Sequence, residues 1–349
     1  MTLVTALRDL QWRRRRVLIA VVGTALVFSV TLVLSGVSHG FDVETDRTLE
    51  TFGSDGWIVR NGAAGPFIGQ TPLLASTVDA VREEPGVADA NGVIFSRKTV
   101  EAGSPEEVNL FGVERHGVGV PAVDEGRGPR ESGDIVVSTT LHHGVGDEIL
   151  LSGKPFRVVG TISNWTVVAG VPNVLVTLTD AQKTAFVDQP IISAVAVRGT
   201  PRTVPPGTRF MSNADARPDL LRAVANARSG IELVGLLLWI VAATIIGSVI
   251  YLSALERMHD FAVFKATGTS SITILADLVV QSLLLSLAAA TIGVLLATPL
   301  GPLFPVPVVI PLSSLMLLPA LAVGVGLVAS LAGLRRAITV DPAIAFAAA

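Results

Sequence analysis

The sequence predicts an α-helical membrane protein with four transmembrane helices and a large α+β extracytoplasmic domain between helices 1 and 2. Three observations predict it. Half of the 349 residues are hydrophobic, 16% are charged and the mean hydropathy is +0.61, which is too apolar for a soluble domain of this length. Four runs, 17–37, 233–255, 272–300 and 312–334, are long enough to span; a helix needs roughly 20 apolar residues to cross a hydrocarbon layer about 30 Å thick. The stretch 38–216 has no such run; it mixes polar and apolar residues and is rich in Gly and Pro.

Residues 1–16 precede the first span and are expected to form a cytoplasmic amphipathic helix. Leu3, Ala6, Leu7 and Leu10 share one face, and Arg8, Asp9 and Gln11 point away, a pattern suited to lying on the inner leaflet. The run 17–37 follows a basic stretch, as a signal peptide would. Its apolar part is too long for that, and no clear Ala-x-Ala site follows, so it is read as an uncleaved anchor. Orientation follows from positive charge. Arg8 and Arg13 to Arg16, then Arg257 and Lys265, then Arg335 and Arg336 all fall on one side if both termini are cytoplasmic. The domain 38–216 and the uncharged turn 301–311 are then outside, and the tail 335–349 is inside.

Within the outer domain, strand composition marks 57–60, 108–113, 134–138, 147–151, 156–162, 173–178 and 192–197. Ser152–Pro155 is a turn joining two of them. Short helices are expected at 76–87, stopped by Pro85 and Gly86, and at 178–186. The helical period of 220–255 has no proline after Pro218, and Asp215 or Asn213 is its expected cap. Its part before the span, 217–232, projects as a stalk, and 41–53 forms a second one after the first span. The alternative is two helices lying flat on the headgroups.

Enzyme chemistry finds no foothold. The sequence has no P-loop, no His-Glu-x-x-His and no Gly-x-Ser-x-Gly. With no cysteine, disulfides and thiolate chemistry are excluded. His142 and His143 are adjacent and point apart, as in a surface turn. No catalytic, cofactor-binding or metal-binding residue is assigned. A net charge of −3 argues against nucleic acid. In the spans, Glu232 and Asp277 lie near the ends. Thr244, Ser248, Gln281, Ser282, Ser286 and Thr291 are polar groups of the kind that packs helices together, so a polar solute has no evident route.

The segment 256–271 between the second and third spans carries Glu256, Arg257, His259, Asp260 and Lys265, interleaved with Phe261, Val263 and Phe264. As a short helix ended by Gly268, it sets Phe261, Phe264 and Lys265 on one side. Such a helix docks into a groove on a soluble partner or lies in lipid headgroups; composition leaves both open.

This segment resembles the coupling segment of MacB/FtsX/LolC-type ABC transporter permeases. Glu256, Arg257, Phe261, Ala262, Val263, Lys265, Ala266 and Gly268 fit the family pattern. Asp260 stands where Glu is usual, and Thr267 replaces an aliphatic residue. Four further stretches are similar to the family: 6–28 to its cytoplasmic helix and first span, 134–162 to its outer domain, 279–297 to its third span with Gln281 where Glu is common, and 334–346 to its C-terminal tail. Within the family the chain resembles actinobacterial FtsX-like permeases sometimes labelled glutamine transporters.

The resemblance implies a permease in a bacterial plasma membrane, paired with a second permease chain as a homodimer. Two copies of a cytosolic ABC ATPase bind it; ATP and Mg are held by that partner, not by this chain. Glu256, Arg257, Asp260, Phe261, Val263, Phe264, Lys265 and Gly268 make the ATPase coupling contact. The expected function is transmission of ATP-driven motion to the outer domain, to export or extract a lipid, lipoprotein, peptide or drug. The alternatives are FtsX-like signalling to an extracytoplasmic partner such as a cell-wall enzyme, and amino-acid transport.

Overall fold

The computed structural model describes residues 14–102, 104–256, 270–304 and 306–317, with 320, 324 and 328. The chain divides into two compact units. One comprises 1–39, 228–304 and 308–349, and the other 40–227 with 305–307.

The first helix, α1 (Arg14–Thr51), is 38 residues long without a break, about 57 Å at 1.5 Å per residue. In the first unit its exposed flank is apolar: Leu18, Ile19, Val22, Leu26 and Val30. The opposite flank, with Val21, Ala25, Phe28 and Leu32, is buried. That pattern suits a lipid or protein solvent and not water.

In the second unit, eleven strands form one sheet among the described residues. They are β1 (Gly56–Arg60), β3 (Val87–Ala102), β4 (Ser104–Val113), β5 (Glu125–Gly126), β6 (Asp134–Ser138), β7 (Glu148–Leu151), β8 (Lys154–Ile162), β9 (Thr166–Val167), β10 (Val171–Thr177), β12 (Ala194–Gly199) and β13 (Thr208–Ser212). The order is β13-β1-β12-β3-β4-β10-β6-β8-β5; β7 pairs with β3 and β8, and β9 with β10. Most neighbours are antiparallel; β10 runs parallel to β4, and β6 to β8. A separate two-stranded sheet joins β2 (Leu73–Leu74) to β11 (Ile191–Ile192).

Alternation along the strands gives the sheet two apolar faces. Ile58, Ile94, Leu110, Val174, Val176, Val195 and Val197 face one core, completed by Val78 and Val81 of α2 (Thr77–Arg82) and Ala181 of α3 (Leu178–Ala185). Trp57, Phe95 and Phe111 face the other, which is aromatic. The turn expected over 152–155 is corrected to Ser152 and Gly153, with φ of 51° and 78°; Lys154 and Pro155 already pair with Leu151 and Leu150 in the β7–β8 hairpin. Two left-handed residues make a turn whose twist matches that of the flanking strands.

Strands fall in all seven stretches expected to form them. The longer strands β3 and β13 and the two-residue strands β2, β5 and β9 fall outside those stretches. In β3, Asn91, Gly92, Arg97 and Lys98 break the apolar alternation. It is a strand because β4 pairs with Val93–Ala102 on one edge, while β12 pairs with its first half and β7 with Val100 and Glu101 on the other.

The helix expected from Leu220 to Leu255 is corrected to two. These are α4 (Asn213–Arg222) and α5 (Ala225–Glu256), so the expected stalk 217–232 is not one helix. The Val224 N–H reaches back to the Leu221 carbonyl at 3.1 Å, three residues instead of four, and this tight turn separates the helices. The cap is also corrected. Ser212 is the N-cap of α4, and Asp215 answers its backbone N–H in a capping box.

In the first unit, α5 is followed by α6 (Ser271–Leu300). Phe28 of α1 meets Trp239 of α5 with ring centroids 5.8 Å apart. Gly293 of α6 lies against Ala25 and Phe28 of α1, the close approach that a missing side chain permits. Among the described residues three helices hold spans long and apolar enough to cross a membrane: Leu18–Thr51, Ala225–Val249 and Val279–Leu300. The fourth expected span, 312–334, lies largely outside the described residues. The expected N-terminal helix lies almost wholly outside them.

Candidate functional site

The expected coupling segment is bounded by the structure on both sides. Glu256 is the last residue of α5, and its side chain is exposed. Ser270 caps α6, its hydroxyl accepting the Thr273 N–H at 3.3 Å. Arg257, Asp260, Phe261, Val263, Phe264, Lys265 and Gly268 lie outside the described residues.

A second candidate region lies where α1 enters the sheet domain. Phe52 follows the last residue of α1 and is 1% exposed. Its ring lies 5.0 to 6.4 Å from those of Phe111, Trp57, Phe67 and Trp165. Trp165 stacks on Phe111 at 5.3 Å. The helix thus ends in the middle of the aromatic core.

Polar contacts hold the preceding two turns. Glu44 is buried and accepts hydrogen bonds from the Thr166 hydroxyl and the Gly170 N–H. Arg47 donates to the Ser163 carbonyl at 2.8 Å. Asp42 and Asp46, one turn apart, both bind Arg217 of α4, at 2.7 and 2.6 Å. The hydrogen bond to Asp46 raises the Arg217 guanidinium above its ordinary pKa; burial opposes this and the bond to Asp42 adds to it. On α4, Asp219 is 1% exposed and accepts the N–H groups of Phe67 and Gly69 at 2.8 and 2.7 Å. Phe67 is thereby set in the aromatic core. The two helices that lead into the sheet domain are pinned to each other and to two loops.

Sequence reasoning treated 41–53 only as a stalk. The available signal was the spacing of Asp42 and Asp46, which share a helix face and call for a basic partner. Nothing local pointed to Phe52 or Asp219, whose partners lie far along the chain.

Other expected sites resolve simply. His142 ends a 3-10 turn in the left-handed conformation, and His143 faces Asp147 at 3.3 Å. Glu232 pairs with Arg228 one turn away at 3.2 Å. Gln281, Ser282 and Ser286 are buried.

Comparison with known proteins decides the family. The MacB-like periplasmic core domain matches residues 17–209, and the FtsX-like permease C-terminal domain matches 232–342. A protein of Mycobacterium tuberculosis described as an uncharacterized ABC transporter permease is 46% identical over 345 residues, 99% of each chain. The chain belongs to the MacB/FtsX-type ABC transporter permeases. A second such permease of that organism is 44% identical over 346 residues, again 99% of each chain. The extracellular domain of the ABC-type transporter YknZ from Gram-positive bacteria aligns at 14% identity and TM-score 0.33, covering 45% of this chain and 98% of that one. The periplasmic region of MacB from Actinobacillus actinomycetemcomitans aligns at 13% and 0.35, covering 49% and 94%. A permease of this family is a multi-pass membrane protein that works with an ATPase partner.

Proposed function

We propose that this permease transmits ATP-driven motion from a cytosolic ATPase, through the segment 256–271, to a domain outside the membrane that acts on a hydrophobic or amphipathic substrate. The observation that carries this reading is the end of α1. A 38-residue helix that terminates at Phe52 in a buried aromatic cluster is suited to act as a lever on the sheet. Helix motion there displaces packed rings and cannot be absorbed by a flexible linker.

Both termini are placed in the cytoplasm and the sheet domain outside. Two permease chains bind two ATPase subunits, which hold the ATP and Mg. Glu256, Arg257, Asp260, Phe261, Val263, Phe264, Lys265 and Gly268 form the ATPase contact. Export or extraction is preferred to solute passage because the buried polar groups described in the runs 17–37 and 272–300, Thr24, Ser29, Thr31, Gln281, Ser282 and Ser286, are all uncharged.

The test is ATPase activity of co-expressed complexes in lipid nanodiscs, wild type against Phe264→Asp. A charge at a buried interface anchor is expected to weaken ATPase binding by about 2 kcal/mol or more, roughly thirtyfold. Binding and activity equal to wild type would sink the reading.

A further inference from the structure

α1 carries two glycines one turn apart, Gly36 and Gly40. In a membrane helix this spacing usually marks the face that meets another helix, often a second copy of the same chain. Here the face is filled from within the chain. After α6 and the 3-10 turn Gly301–Leu303, the backbone is non-helical over 306–311. In the first unit, a Cβ built on Gly36 would meet Val308 Cγ1, with Ile310 Cγ1 at 3.4 Å. The Val309 N–H donates to the Gly36 carbonyl at 3.2 Å, and the Ser35 and Ser314 hydroxyls are 2.6 Å apart. In the second unit, a Cβ on Gly40 would fall on the Pro307 carbonyl oxygen, well inside van der Waals contact, with Val306 Cγ1 at 3.1 Å. Val306 is buried.

Gly23, on the same helix, has nothing within 4 Å of an added Cβ. Among the glycines of α1, only Gly36 and Gly40 are closely approached. Pro307 within the segment 306–310 and Pro311 just after it fix φ at two positions, which lowers the entropy lost in holding it.

We propose that the segment 306–310 is an intramolecular strap seated on the Gly36–Gly40 face of α1, so that this face is not the seam between two copies of the permease. Ser35 and Ser314 fasten the strap beside it. A second copy meets another face of the helices.

The chain has no native cysteine, so engineered pairs are read without background. The full-length protein is expressed in membrane vesicles as Ser35→Cys/Ser314→Cys and oxidised. The expected result is a disulfide within one chain, seen as loss of both maleimide–polyethylene glycol adducts at monomer mobility. Ser35→Cys alone is expected to give no covalent dimer. Adding Gly40→Val to the pair is expected to cut the disulfide yield by about fivefold or more, because the strap is displaced by the new side chain. Adding Gly23→Val is expected to leave it unchanged, which separates a local wedge from general misfolding of α1. A dimer from Ser35→Cys alone, no intrachain disulfide, or a yield indifferent to Gly40→Val would each overturn the proposal. No ATPase is required, so the outcome stands apart from that of the coupling experiment.

Discussion

Phe52 joins α1 to the sheet domain's aromatic core, where four other rings pack around it. Phe52→Ala is expected to destabilise the domain by about 3–5 kcal/mol, measured by urea unfolding in nanodiscs through the fluorescence of Trp57 and Trp165. Asp219→Ala removes the acceptor of two N–H groups at a nearly inaccessible site and is expected to cost about 1–3 kcal/mol. Its signature is faster proteolysis within 61–72, where those groups lie. Asp134 gives a pH dependence. Burial alone would raise its carboxyl, but the Arg127 guanidinium and the Arg130 and Glu131 N–H groups outweigh it and hold the group below the usual carboxylate range. A depressed folded pKa means stability that is present above the unfolded value, about 3.9, and lost as pH falls through the lower folded value. The thermal midpoint of Asp134→Asn is therefore expected to fall less than that of wild type between pH 5 and pH 3.

At the scale of elements, the spans and the strands reveal themselves differently. A run such as 17–37 or 272–300 was legible because lipid leaves a helix no choice but to satisfy its own backbone, and length alone then identifies it. Strands such as 134–138 and 192–197 were legible from dense β-branched composition. β3 was not, because its Asn91 and Arg97 are tolerated only by what lies beside them. Asn91 donates to the His116 and Val118 carbonyls, and Arg97 pairs with Glu107 at 3.3 Å. The break between α4 and α5 had no breaker residue to announce it; Ala223 and Val224 are ordinary helix residues. The expected coupling segment rests on its resemblance, and Phe264→Asp tests it at this scale.

For the whole molecule, the sequence by itself determined the membrane class, the inserted domain and the family. Those rest on composition, on run length and on a linear order of motifs, all of which are properties of neighbouring residues. Tertiary structure alone decided that α1 leads into the aromatic core of the sheet domain and what packs against the glycines of α1. Asp42 and Arg217, Phe52 and Trp165, and Gly36 and Val308 are each separated by more than a hundred positions in the chain. Contacts of that kind are set by packing, which depends on shape brought together by the fold, and no local pattern encodes which distant side chain will fill a given space.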